Sequence, residues 1–293
     1  MSIQIDQSFV SQGFRIAAKL SVPDGLAPGE RRPALIVLHG FGSNMSAANV
    51  SGPCEVFEGL GYCTLRFDMP GCGASEGPRG NLICLEQVQC TIDAFRHLRE
   101  QAQVKGDAIV VVGSSFGGAV AIFAAANEPG FSGAISSGGW GHGERKFRGQ
   151  HPTPEAWARF TAMLAEGRAH RERTGTSMLV PRNEIVPIPP GLKRQLVTGA
   201  LDHFTAETAQ SMFDFRAEDV VDRISPRPLL LLHSSVDSVT PTEQSLALFA
   251  KAGMPKDLHL FGDTNHFMFA EGNPRVWRVV GDWLHRYLPC KED

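Results

Sequence analysis

The most constraining stretch of this chain is Ala108-Ile-Val-Val-Val112, which runs without a break into Gly113-Ser-Ser-Phe-Gly-Gly118 and then into Ala119-Val-Ala-Ile-Phe123. A short run of β-branched apolar residues of this kind reads as a strand buried on both faces. The glycines that follow permit a tight turn, and the alanine-rich segment after them reads as a helix packed directly against the same sheet. A strand that returns at once into a helix belongs to a parallel sheet covered on both sides.

The rest of the chain keeps that rhythm. Phe14 to Val22 reads as a strand closing a hairpin through Ser11-Gln12-Gly13, and Ala34 to Leu38 as a buried strand before His39-Gly40. A helix is expected through Val56 to Leu60, a strand over Cys63 to Phe67, a helix over Leu82 to Gln101 and a strand over Gly133 to Ser137. After residue 140 the pattern changes to charge, helix formers and repeated prolines, and no strand of the earlier kind is expected there. It resumes with a helix at Asp219 to Ile224, a strand at Pro228 to His233, a helix at Pro241 to Ala252, a strand at Leu258 to Phe261 and a helix at Arg275 to Tyr287. The expected organisation is one α/β domain formed by residues 1–140 and 200–293, interrupted by an insertion at 141–199.

Composition excludes several classes. At 293 residues, 42% hydrophobic and 20% charged, the chain has the make-up of a soluble globular protein, and its formal charge of −3 gives no basic field for a nucleic acid. The start, Met-Ser-Ile-Gln-Ile-Asp, is not a secretory signal, and no apolar run approaches the ~20 residues of a membrane span, so a cytoplasmic protein without a membrane partner is expected. The six cysteines form no C-x-x-C pair and the ten histidines no cluster, so neither a disulfide framework nor a metal site is expected, and no cofactor.

The motif G-x-S-x-G occurs twice, around Ser75 and around Ser115. Only Ser115 sits between a buried strand and a helix, the strained turn that exposes a serine nucleophile; Ser75 lies in Pro70-Gly-Cys-Gly-Ala-Ser-Glu-Gly-Pro78 and reads as a loop serine. Serine at its ordinary pKa needs a base, and the base an orienting carboxylate. Asp237 follows the strand Leu229 to Leu232, and His266 follows the next strand, in Gly262-Asp-Thr-Asn-His266. Loops past the carboxyl ends of parallel strands converge at one edge of the sheet, so the three residues can meet. Asp263 is expected to shape its own turn, His233 and His259 to be structural, and His142 and His203 lack the strand-end context.

Donors for a developing oxyanion are expected from the backbone N–H groups of Phe116 and of Phe41, in His39-Gly-Phe-Gly42. With these in view the chain resembles the α/β-hydrolase family over nearly its whole length. The motifs are His39 to Gly42, Arg66-Phe-Asp-Met-Pro-Gly-Cys-Gly-Ala-Ser-Glu-Gly77, Gly113 to Gly118, Val236-Asp-Ser-Val-Thr-Pro241 and Asn265-His266. It looks most like the small bacterial esterases and dipeptidyl-peptidase-like hydrolases of that fold, including cinnamoyl and feruloyl esterases. The resemblance implies an α/β fold with an eight-stranded, mostly parallel sheet, helices on both faces and the insertion as a helical lid. Ser114, before the nucleophile, stands where many relatives carry His or another residue, and the closest subfamily stays open.

The resulting expectation is a serine hydrolase that cleaves a small carboxylic ester or thioester through an acyl-enzyme on Ser115. The same apparatus serves C–C hydrolysis of an aromatic ring-cleavage product, or amide and peptide hydrolysis, and a silent binding protein on the fold is the remaining alternative. From Gly141 to Ala200 the chain carries ten Lys or Arg against five Glu, a net +5 that leaves −8 elsewhere. A basic lid would draw in an anionic acyl substrate, although a solvated helical surface has the same composition. Trp140, where the insertion begins, is expected either to wall the substrate pocket or to be an ordinary core residue.

Overall fold

The computed structural model describes residues 2–290. The chain opens with a hairpin, β1 (Ser2–Ser11) and β2 (Phe14–Pro23), whose turn residues Gln12 and Gly13 both have positive φ, 52° and 84°. That turn matches the natural twist of the paired strands. Then follow β3 (Arg32–Leu38), α1 (Ala48–Gly59), β4 (Cys63–Phe67), α2 (Cys84–Arg99), β5 (Val104–Ser114), α3 (Phe116–Asn127) and β6 (Gly133–Ser137). The intervening segment holds α4 (Gly143–Gln150), α5 (Pro154–Thr174), β7 (Leu179–Pro181), α6 (Arg182–Ile185), β8 (His203–Thr205) and α7 (Ala206–Asp214). The main sheet is completed by β9 (Leu229–Ser234), α8 (Glu243–Lys251), β10 (Lys256–Phe261) and α9 (Pro274–Tyr287).

Eight strands form one sheet in the order β1-β2-β4-β3-β5-β6-β9-β10. The β1–β2 and β2–β4 pairs are antiparallel, and every pair from β4 to β10 is parallel. The central strands are apolar throughout because they face two cores. Ala34, Ile36, Ile109, Val111, Leu229 and Leu231 point into one, and Leu35, Val37, Val110, Val112, Leu230 and Leu232 into the other. Helices α2 and α3 cover the first face, and α1 and α9 the second, through residues such as Phe57, Val276, Val280 and Trp283. Burial of these runs is the main force holding the sheet.

Three local features differ from the sequence expectation. Helix α1 begins at Ala48 rather than Val56 and carries Pro53 inside it; the intrahelical hydrogen bond that proline cannot donate is offset by burial of Val50, Pro53, Cys54 and Phe57 against the second face of the sheet. Asp219 to Ile224 is not a helix but parts of two short 3-10 turns, Ala217–Asp219 and Val221–Ile224; Ser225, held extended before Pro226, ends them. The segment between β6 and β9 contains a two-stranded ladder in which Leu179 faces Thr205, and α5 meets α7 where Gly167 abuts Ala206. That ladder joins residues on both sides of position 199. The segment has no separate core: Phe147, Phe160, Phe204 and Met212 continue the apolar cluster of the first face. No helix among the described residues is long and apolar enough to cross a membrane.

Candidate active site

Ser115 stands between β5 and α3 with φ 57° and ψ −116°, a conformation that an L-residue holds only under constraint. The constraint is packing. A Cβ on Gly113 would fall 2.0 Å from the Gly117 carbonyl oxygen, and one on Gly117 would fall 2.6 Å from that of His39, so the turn closes only with glycine at both positions. The Ser115 amide donates to the Ser137 carbonyl at 2.8 Å, which ties the apex to β6.

The loops after β9 and β10 bring their side chains to this apex. Ser115 Oγ lies 2.8 Å from His266 Nε2, and His266 Nδ1 lies 2.8 Å and 3.0 Å from the two carboxylate oxygens of Asp237. A carboxylate only accepts, so Nδ1 carries the proton and Nε2 is left to accept from the Ser115 hydroxyl. Asp237 Oδ1 also accepts from the Val239 and Thr240 amides, both at 2.8 Å. Asn265 Oδ1 accepts from the Ser238 and His266 amides, which fastens one loop to the other. Burial opposes ionisation of Asp237, but the charge of His266 and hydrogen bonds from His233 and His266 hold its carboxyl well below the usual carboxylate range.

The competing residues are elsewhere or otherwise engaged. Ser75 Oγ donates to the Asp68 carbonyl at 2.6 Å and accepts from the Ala17 amide at 2.9 Å, so it clamps the loop after β4 to β2. Asp263 pairs with Arg275, His142 caps α4, and His203 and His259 are exposed. His39 is buried: it donates from Nδ1 to the Gly40 carbonyl and accepts the Met69 amide on Nε2, and burial lowers its pKa. His233, expected to be only structural, is held by Ser245 Oγ and the Thr240 carbonyl and also approaches Asp237, with Nε2 3.3 Å from Oδ2. Its position within the strand run gave no sign of that contact.

Phe116 contributes the first amide of α3, a group with no partner inside its own helix. Gly40 and Phe41 line the same cavity as Ser115, and a Cβ on Gly40 would lie 3.8 Å from that of Ser115. The Phe41 ring stacks on Phe204 at 4.0 Å. The cavity is small, about 40 Å³, because the segment after β6 covers it with Arg182, Val186, Ile188, Gln195 and Leu196. A surface cleft of about 320 Å³ beside it shares Ile188 and Val239 as lining residues. Trp140 does not line the cavity of Ser115; it is 1% exposed and sits edge-on to Phe215 in the core. Sequence reasoning did not single out Asn49, Gln195 or Ile188; they come from elements whose approach to Ser115 depends on tertiary packing. No cluster of three metal-ligating side chains occurs among the described residues.

A mostly parallel eight-stranded sheet with helices on both faces and a serine turn after its central strand defines an α/β-hydrolase. Residues 29–273 match the family described as serine aminopeptidase, S33, and the chain belongs to that family of hydrolases. Among curated proteins it is 28% identical to the thiohydrolase AneE of Aspergillus aculeatus over 253 residues, covering 80% of this chain and 78% of that protein. Among solved structures it superposes on the α/β hydrolase GrgF from Penicillium sp. with a TM-score of 0.81 and 24% identity, over 98% of this chain and 99% of that one. It also superposes on Est1E of Butyrivibrio proteoclasticus with bound ferulic acid, with a TM-score of 0.69 and 19% identity over 96% and 98% of the two chains.

Proposed function

We propose that this protein is a serine hydrolase that cleaves a small carboxylic ester or thioester through an acyl intermediate on Ser115. The observation that carries the reading is the continuous hydrogen-bonded chain from Ser115 Oγ through the His266 imidazole to Asp237. In the first step Ser115 Oγ bonds to the acyl carbon while His266 Nε2 takes its proton. Asp237 stabilises the imidazolium, and the Phe41 and Phe116 amides receive the oxyanion. The bond to the leaving oxygen or sulfur then breaks, and His266 returns the proton to it. Water repeats the sequence and releases the acid. General-base catalysis contributes about 10²–10⁴-fold and one oxyanion donor about 10²–10³-fold.

The segment over the cavity acts as a lid. Val186, Ile188 and Leu196 overhang Ser115, which keeps part of its surface exposed, and the neighbouring cleft that shares Ile188 and Val239 is the route we assign to substrate. A relative named as a thiohydrolase supports including thioesters beside oxygen esters. The test is turnover of p-nitrophenyl acyl esters and acyl-N-acetylcysteamine thioesters. The expected result is hydrolysis of at least one class, with loss of at least about 10³-fold in Ser115→Ala. Hydrolysis undiminished in that variant, or no turnover of either class, opposes the reading.

A further inference from the structure

Of the ten basic residues between Gly141 and Ala200, Arg182 alone lines the cavity of Ser115. It is 8% exposed, at the junction of β7 and α6. Its Nη2 donates to the Gly42 carbonyl at 3.1 Å and its Nε to the Leu201 carbonyl at 2.8 Å. The guanidinium centre lies 5.2 Å from the Phe41 ring and 5.3 Å from the Phe204 ring. These contacts use two of the five N–H donors of an arginine and neutralise none of its charge. Asp202 acts on it only through the longer-range field, and no carboxylate lies within ion-pair distance among the described residues.

A buried charge without a counter-ion is costly, and an apolar side chain would close the lid onto Phe41 and Phe204 more cheaply. Burial draws the Arg182 pKa down to about 10, which leaves the group charged at neutral pH. Its anchor, the Gly42 carbonyl, is one residue beyond the Phe41 amide assigned above to the oxyanion. Arg182 and Ser115 line one cavity, so a negative group on a substrate held there is within reach of the guanidinium. We infer that Arg182 is the specificity-determining residue of this site and selects an acyl group bearing its own carboxylate, the half-ester or half-thioester of a short dicarboxylic acid.

The inference rests on the serine-hydrolase reading, and its test separates the two. Kinetics with p-nitrophenyl butyrate and p-nitrophenyl hemisuccinate compare a neutral and an anionic acyl group of similar size. The expected result is a kcat/KM at least about tenfold higher for the hemisuccinate, a ratio that falls to about one in Arg182→Gln and is partly kept in Arg182→Lys, which retains the charge. A wild-type ratio of one overturns the inference. So does an equal loss on both esters in Arg182→Gln, which would mark Arg182 as a pin for the Gly42 loop only. Calorimetry with free succinate on Ser115→Ala provides the arm that needs no turnover. Succinate binding that Arg182→Gln abolishes supports the inference, and no binding overturns it. Failure of wild-type protein to turn over either ester, with succinate still bound through Arg182, would sink the hydrolase reading alone.

Discussion

His233 Nε2 lies 3.3 Å from Asp237 Oδ2, the same oxygen that takes the closer hydrogen bond from His266. His233 is otherwise fixed by Ser245 Oγ at 2.6 Å from Nδ1 and by the Thr240 carbonyl at 3.0 Å from Nε2. The Thr240 carbonyl can only accept, so Nε2 carries the proton and also faces the carboxylate. On the proposed mechanism His233 acts as a positioning residue, holding the Asp237 carboxylate that orients His266. His233→Leu is expected to lower kcat about tenfold with KM within about twofold, since a hydrogen bond to a charged group contributes roughly 1.5–3 kcal/mol. His233→Gln, which keeps an N–H donor, is expected to recover part of the loss. Steady-state kinetics on folded protein decide, and an unchanged kcat in His233→Leu would count against the role.

Asp237 also couples the site to acid stability. Its folded pKa lies below the unfolded value of about 3.9, so the ionised group contributes stability that is fully present above that value and is lost as pH falls through the lower folded value. Asp237→Asn is therefore expected to be less stable than wild type near pH 7, with a difference that narrows below about pH 4. Its kcat should fall on the order of 10⁴-fold. Urea unfolding across pH measures the first effect; a difference independent of pH would contradict it.

Lys146 changes stability with the same sign as Asp237 but in a higher pH window, and here the charged form is the one that folding penalises. It is 2% exposed, its Nζ has no hydrogen-bond partner, and it sits 3.9 Å from the Phe147 ring centre and 5.3 Å from that of Trp140. Burial lowers its pKa to about 7. Between that value and the unfolded ~10.4 the unfolded chain binds a proton that the folded one does not, so stability rises with pH over this window. Lys146→Met is expected to be more stable at pH 7 by roughly 1–4 kcal/mol, with an advantage that shrinks toward pH 10. Chemical denaturation at the two pH values is the check, and a destabilised variant at pH 7 would contradict it.

Ser75 separates motif from site. Ser75→Ala removes a buried hydrogen bond to the Asp68 carbonyl and a part-buried one from the Ala17 amide, and is expected to cost about 1–3 kcal/mol of stability while leaving kcat within about twofold. A loss of kcat like that of Ser115→Ala would mean that the wrong serine had been placed in the site.

Much of this was legible in the sequence, for identifiable reasons. The strands β3, β4, β5, β6 and β9 announce themselves as apolar runs because both of their faces are buried, and Ser115 as the apex between β5 and α3. Asp237 is readable because it follows β9, and His266 because it follows β10, the edge strand parallel to β9, so the topology brings their loops to the same edge of the sheet. The first two turns of helix α1 are not legible because they contain Gly52 and Pro53, both poor helix formers, and it is burial against the sheet that holds them helical. Trp140 and Arg182 show the limit more clearly. The sequence leaves Trp140 equally a pocket wall or a core residue, and it is buried away from the Ser115 cavity; Arg182 is one charge in ten and lines that cavity. Which side of the insertion meets Ser115 is decided by how α5, β7 and α7 pack, and no residue-level pattern encodes that.

The most direct test of the central claim is intact-mass analysis after exposure to a fluorophosphonate, with peptide mapping of the adduct. Only an activated serine reacts with such a probe at an appreciable rate. The expected result is one adduct per chain, on Ser115, absent in Ser115→Ala and strongly slowed in His266→Ala. Well-folded protein that takes up no adduct, or takes it up on Ser75, would contradict the assignment of Ser115, His266 and Asp237 as a working nucleophile, base and orienting acid.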